Sequence, residues 1–410
     1  MNRLKVWLEE VDAVAVARYL LLAELVFLFA STSLAVVVET LLFLLFLAFP
    51  VLRRRVFAIA GQPMVLMALV WIGVVTIGLL YSIGPGAENI AIWKSWRKIF
   101  LLPLAAAVFD EELWKRKLIW TFLGMIVLGL LVSCGSWLSG VTLLKREAVP
   151  GIVIHNHATQ GILFAAGFFT AALALRFIPP RSSLGRWLLG ASMLGLCVNI
   201  IFITPGRSGY LVFLVLSTLL PFFLLKGWPR YLFTFVVPLV VGFFLFYSPI
   251  AGQRIMQGVD ELQSYKQDKE LTSMGIRMMM WKNTVAIIKE RPFFGYGTGG
   301  FIEGYRRRVE GKEGWQQQVV ADPHNQYLRI AAEQGLAGLM VFFVLLGAFF
   351  RQKSSLLWRY MGLGVLLAWC ASSLFSAHFS TFVEGRFIWL WCGALLSTTA
   401  GREESAGSLA

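Results

Sequence analysis

Charge is scarce in this chain, negative charge above all. Asp, Glu, Lys and Arg make up 15% of its 410 residues, and 23 acidic residues face 37 basic ones. So few charges cannot coat a water-soluble domain of this length. So few carboxylates also leave no acidic cluster outside the hydrophobic stretches to hold magnesium or zinc. Cysteine is equally sparse: Cys134, Cys197, Cys370 and Cys392 all lie within or at the ends of apolar stretches. That excludes a disulfide framework and a Cys-x-x-Cys metal knuckle, and leaves the thiols as small packing groups. A fixed-period repeat and a low-complexity linker are missing too. So is a cleavable leader: Met1 to Asp12 is mixed in charge, and the apolar stretch after it is long enough to span, so the first helix is expected to be its own signal anchor.

What is present is apolar. Hydrophobic residues reach 58% and the mean hydropathy is +0.70, which defines a polytopic membrane protein. About twelve stretches approach the length that crosses a hydrocarbon core. They are 14–31, 34–50, 63–82, 96–109, 118–138, 158–178, 187–203, 209–225, 231–248, 336–350, 360–377 and 386–400; the fourth is short, and either tilted or partly re-entrant. The expected fold is all-α, with about 12 transmembrane helices and one large, mainly helical periplasmic loop. Helices 1–9 occupy 1–248, the loop 249–335 and the last three spans 336–400, followed by a cytoplasmic tail, 401–410, expected to be disordered.

Orientation follows from the basic residues of the short loops. With the N-terminus inside, the inner loops carry Arg53, Arg54 and Arg55; Lys115, Arg116 and Lys117; Arg176, Arg181 and Arg186; Lys226 and Arg230; and Arg351, Lys353 and Arg359. The alternate loops are poorer in charge. Much of the net charge of +14 is thereby assigned to insertion, and nucleic-acid binding is set aside. The large loop falls outside, which in a bacterium is the periplasm.

The unusual polar residues collect on that outer side: Lys94, Arg97 and Lys98 entering the fourth stretch, His155-Asn156-His157 with Gln160, Thr204-Pro205-Gly206-Arg207-Ser208-Gly209, and Arg277 and His324 in the loop. Arg207, alone in a tight Pro-Gly turn, opposes the positive-inside bias. Two readings are open for it: a snorkelling side chain at the headgroups, or a guanidinium offering bidentate contacts to phosphate, with glycines that let donors approach. The loop reads as two helices and a glycine turn. Ile255, Val259 and Leu262 line one helix, Ile276, Met280, Thr284 and Ile287 a second, and Pro292 stops the second. Arg277 shares a stripe with Trp281 and Ile288, either solvated or aimed at the membrane mouth.

The turn from Gly295 to Gly300 contains Gly-x-Gly-x-x-Gly, but it follows a helix and a proline rather than a strand, so it is no dinucleotide fingerprint. A flexible reversal or a backbone cradle for an anion remains. At His324, Asp322 is read as an N-cap and Pro323 as the first helical residue, placing the imidazole in the first turn. The helix dipole and nearby arginines favour the neutral form, a competent general base, while Asp322 pulls the other way; a structural histidine is the alternative. His155 and His157 point apart and do not form a metal pair. Hydrogen bonding of a polar ligand by Asn156, His157 or Gln160 is the better use. His378 has no special context and reads as structural.

These residues carry a resemblance. Arg207-Ser208-Gly209-Tyr210-Leu211 looks like an Arg-x3-Leu motif. His324-Asn325, nine residues, then Gly335-Leu336-Ala337-Gly338 resembles the His-Asn-x9-Gly-x-x-Gly motif of bacterial O-antigen ligases, with Leu339 where the longer motif has a further glycine. Arg277, Trp281, Pro292, Gly295 and Gly297 are similar to the wider superfamily, which includes O-antigen polymerases and protein O-oligosaccharyltransferases. The resemblance implies a GT-C-like glycosyltransferase of the bacterial inner membrane, needing no cofactor and no metal. It would move a glycan from undecaprenyl pyrophosphate to a sugar hydroxyl of lipid A core by inverting transfer. His324 would be the base, and Arg207 and Arg277, then Arg97 and Lys94, with His157, Gln160 and Asn325, the donor-binding set. From another class, a transporter of lipid-linked sugars draws support from Glu24 and Glu39, carboxylates inside the first two spans.

Overall fold

The computed structural model describes residues 12–144, 147, 149–266 and 273–398. The tail expected to be disordered and the first eleven residues lie outside them. The described chain is helical throughout, with no strand among its residues. Asp12 caps α1 (Ala13–Ala30) by accepting from the N–H groups of Val14 and Ala15, and Ser31 caps α2 (Thr32–Ala48). Pro50 opens α3 (Pro50–Ala58), which turns away from α2 by 91°. There follow α4 (Pro63–Ile77), α5 (Gly86–Trp96), a 3-10 turn (Arg97–Phe100) and α6 (Leu101–Val108). Next come α7 (Glu112–Ser139), α8 (His157–Phe177), α9 (Ser183–Phe202), α10 (Arg207–Leu224) and α11 (Pro229–Tyr247). The large loop holds α12 (Pro249–Lys266), α13 (Ser273–Glu290) and α14 (Phe301–Val309). The chain closes with α15 (Gln326–Phe350), α16 (Leu356–Ser372) and α17 (Phe382–Leu396).

Every apolar stretch expected to span coincides with one of these helices, but they are unequal. Among the described residues seven helices are long and apolar enough to cross a membrane alone, and eight if bent α2–α3 counts as one. The remainder are shortened for visible reasons. α4 stops at Ile77 because the carbonyl of Gly78 is taken by the N–H of Thr298. The short fourth stretch resolves into the 3-10 turn and α6, whose eight residues are all buried. At the centre lies α17, buried from Val383 to Leu396, while α11 buries only Leu245 and turns Phe235, Leu239 and Tyr247 outward, as a lipid-facing helix does. Lipid supplies no hydrophobic drive between helices, so close approach through small residues matters more. Gly209 meets Gly161 backbone to backbone, and Gly393 lies on Leu102.

The two ends of the bundle differ. At one, Arg18 pairs with Asp110 and Glu111, Arg55 with Asp110, and Lys115 donates to the Ser397 carbonyl. At the other, the 291–300 turn is threaded between the end of α4 and a break in α15. Tyr296 and Gly297 donate to the Ala332 and Glu333 carbonyls, and Leu336 and Ala337 donate to Pro292 and Phe293. These glycine-turn N–H groups are engaged within the chain, which makes the turn a structural staple rather than an anion cradle. Gly335 (φ 69°, ψ −174°) breaks α15 there, and a Cβ on it would sit 2.2 Å from the Phe293 carbonyl oxygen. Gly335→Ala is therefore expected to cost on the order of 3 kcal/mol, read as a lowered melting midpoint in detergent; an unchanged midpoint would contradict the staple.

Candidate active site

The cluster begins where α8 and α10 start side by side. Gly206 packs on the His157 carbonyl, where a Cβ would come within 2.8 Å of its oxygen. The glycines flanking Arg207 thus serve helix packing rather than the ligand approach expected of them. Gly206 gives α10 no side-chain cap, so its first-turn N–H groups keep the partial positive charge of an uncapped helix start. Arg207, the first residue of that turn, leans over Gly258 of α12, donates from Nε to the Arg254 carbonyl at 3.2 Å and pairs with Glu261 at 3.5 Å.

Arg277 of α13 joins this group. Burial pushes its guanidinium below the ordinary arginine range; the neighbouring charge of Arg207 pushes the same way and Glu261 opposes both. Two guanidinium groups near one carboxylate leave an excess of positive charge, the condition for binding an anion. One turn further along α13, a rise of about 5.4 Å, the indole Nε1 of Trp281 donates to the Pro323 carbonyl at 2.9 Å. That bond draws the segment bearing His324 to the arginine helix.

His324 is exposed and left-handed, with φ 52°, a backbone state uncommon for residues other than glycine and associated with functional sites. Its turn is over-determined. Asp322 accepts the His324 N–H at 2.6 Å and pairs with Arg329 at 2.7 Å, and Gln326 N–H donates to the Ser373 carbonyl. Here the sequence reading needs correction. The N-cap of α15 is Asn325, whose Oδ1 accepts from Tyr327 and Leu328, so Asp322 is no cap and His324 lies just before the helix. Asn325 accordingly caps α15 through its Oδ1. Gln160 is corrected likewise: fully buried, it accepts from Val153 and Ile154 and donates to Ser133, Gly151 and Thr204, bolting the 149–156 segment to α7 and the α9–α10 turn.

The other expected residues make contacts of their own. His157 Nδ1 lies 2.9 Å from Glu147, which also accepts the His157 N–H, whereas His155 bonds the Leu28 carbonyl; the two do point apart. Lys94 is exposed. Arg97 pairs with Glu39 at 3.2 Å, and Glu39 also pairs with Arg386, which reaches Glu24 at 3.3 Å. Arg386 is the residue that sequence reasoning missed, hidden at the edge of an apolar stretch. It turns Glu24 and Glu39 from a possible ion path into a buried ion-pair network. Arg386→Leu, which strands the buried Glu24 and leaves Glu39 to Arg97 alone, is expected to cost on the order of 3–5 kcal/mol, again as a lowered melting midpoint; near-wild-type stability would contradict the pairing. Lys98 was likewise unread as structural: buried, it donates to the Ser380 and Thr381 carbonyls.

The fold defines the class, an all-helical polytopic membrane protein, in which Trp281 ties the helix of Arg277 to the segment carrying His324. Residues 191–343, which include Arg207, Arg277 and His324, match the O-Antigen ligase family (Wzy_C), so the chain carries a domain of that family. It is also similar to an "Uncharacterized protein" of Haemophilus influenzae (strain ATCC 51907 / DSM 11121 / KW20 / Rd), 31% identical over 103 residues. That likeness covers 24% of this chain and 26% of the relative.

Proposed function

We propose that this protein is a glycosyltransferase of the O-antigen ligase type, moving a glycan from undecaprenyl pyrophosphate to a sugar hydroxyl of lipid A core at the periplasmic face of the bacterial inner membrane. In this reading the shorter helices also cross the membrane, giving about twelve spans with the N-terminus cytoplasmic, and the Arg207 end of the bundle faces outward. Arg207, Arg277 and the uncapped start of α10 hold the diphosphate, with Lys94, Arg97 and His157 further out along the mouth. His324 takes the proton of the acceptor hydroxyl. The hydroxyl oxygen attacks the anomeric carbon from the face opposite the diphosphate, the bond from that carbon to the phosphate oxygen breaks, and the configuration inverts. The electron pair leaves on undecaprenyl pyrophosphate, whose added charge the guanidinium groups stabilise. The proton passes from the imidazole to water.

The observation that carries this reading is the Trp281 bond to the Pro323 carbonyl, one turn from Arg277, because it links the arginine pair to the histidine turn. An O-antigen polymerase or a protein O-oligosaccharyltransferase would use the same chemistry with another acceptor. The transporter reading is weakened, since Glu24 pairs with Arg386 and Glu39 with both Arg386 and Arg97. The test uses purified protein in detergent, with EDTA present and no gradient. Glycan joined to lipid A core supports the proposal, joining to glycan or protein instead supports a relative's acceptor, and no covalent product with any of them refutes transfer.

A further inference from the structure

His324 holds its left-handed backbone, φ 52°, without the freedom of a glycine, and such a state lasts only where the surroundings enforce it. Two contacts act on it directly. From α13, Trp281 Nε1 donates to the Pro323 carbonyl at 2.9 Å. Within the turn, Asp322 Oδ1 accepts the His324 N–H at 2.6 Å, the local bond by which an aspartate closes a turn two residues on. This second contact depends on which way one carboxylate faces.

Arg329, in the first turn of α15, sets that direction. Its Nη1 donates to Asp322 Oδ2 at 2.7 Å, so one carboxylate oxygen serves the guanidinium and the other the His324 N–H. Its Nε pairs with Glu333, four residues on, at 3.5 Å. The Asp322 side chain is 29% exposed, but those of Arg329 and Glu333 are 12% and 3% exposed, so the group that aims Asp322 is anchored out of water and little screened. The Glu333 carbonyl in turn accepts the Gly297 N–H of the staple. Arg329 also differs from the arginines of the anion site. Arg207 and Arg277 lie near one carboxylate, Glu261, whereas Arg329 alone faces two, which leaves no excess positive charge for a diphosphate.

We propose that Arg329 is a positioning residue for the transfer reaction: by pairing with Asp322 it fixes the bond from that carboxylate to the His324 N–H and ties the histidine turn to Glu333 of α15. The inference rests on the reading of His324 as the base, and it assigns Arg329 no contact with substrate. Without the pair the turn leaves its left-handed form and the imidazole no longer meets the acceptor hydroxyl at a fixed place. Loss of the brace therefore lowers kcat, while the KM for donor, set by Arg207 and Arg277, stays unchanged.

The test cuts the pair from each side in full-length protein in detergent. Asp322→Asn keeps an oxygen for the His324 N–H, removes the charge that Arg329 aims, and leaves Arg329 with Glu333. Arg329→Met alone would strand the buried Glu333, so it is combined with Glu333→Gln and compared with Glu333→Gln by itself. Turnover, donor KM and hydrogen exchange of peptides covering residues 320–330 are followed. Each cut is expected to lower kcat about tenfold, leave the donor KM unchanged and speed exchange in the turn. Both cuts together are expected to lower kcat no further, because they remove one contact. An unchanged kcat or a raised donor KM in either cut, a roughly hundredfold fall when they are combined, or exchange that matches wild type would overturn the brace. The exchange comparison repeated in a His324→Ala background separates the two ideas. Exchange there does not depend on what His324 does chemically, so the brace and the base fail independently.

Discussion

Replacing His324 with alanine is expected to abolish glycan transfer, lowering turnover by about 100- to 10,000-fold, the usual contribution of a positioned base. Donor binding and membrane insertion should persist. The imidazole is exposed at the mouth, so its removal opens no cavity. The contacts that order its turn, from Asp322 to the His324 backbone and from Trp281 to Pro323, use no His324 side-chain atom. Loss of turnover in a folded, donor-binding variant therefore reports chemistry. Near-normal turnover would remove His324 as the base.

Arg207→Lys should lose most activity as well, by about 100-fold, because an ammonium is a point charge and cannot reproduce the two parallel bonds of a guanidinium to a phosphate. Geometry sharpens the expectation. Arg207 is held by the Arg254 carbonyl through Nε and by Glu261 through a terminal nitrogen, and a lysine has one nitrogen with which to keep either contact. The loss should appear in kcat, where charge develops on the departing diphosphate. A variant whose kcat equals that of wild type would place the leaving-group charge elsewhere.

The residues of the candidate site were legible because charge stands out in an apolar chain. Arg207 and Arg277 could be singled out from their position against the insertion bias and their helix stripe, and His324 from its neighbours. Local roles were harder to read. Asp322 and Asn325 are three residues apart and either has the chemistry of a cap, so the choice depends on the left-handed backbone at His324, which delays the helix start to Gln326. An amide was misread for a similar reason: Gln160 looks like a ligand-binding group until its buried partners are known.

Long-range contacts were the least accessible to sequence reasoning. Pairing of Arg386 with Glu24 and Glu39 joins the last helix to the first two, and no periodicity announces it. The glycine run from Gly295 to Gly300 has the composition of an anion-binding loop, yet the N–H groups of Tyr296, Gly297 and Thr298 meet carbonyls supplied by α15 and the end of α4, and those of Gly295 and Gly300 meet Arg291 and Gly297. The additional helix α14 and the break at Gly335 also depend on that threading.

A structure with an undecaprenyl-pyrophosphate-linked sugar bound would test the central claim most directly. The account predicts diphosphate between the Arg207 and Arg277 guanidinium groups at the start of α10, with the His324 ring beside the anomeric carbon on the face opposite the phosphate. Diphosphate seated on Lys94 and Arg97 instead, with Arg207 and Arg277 both free of it, would contradict the account.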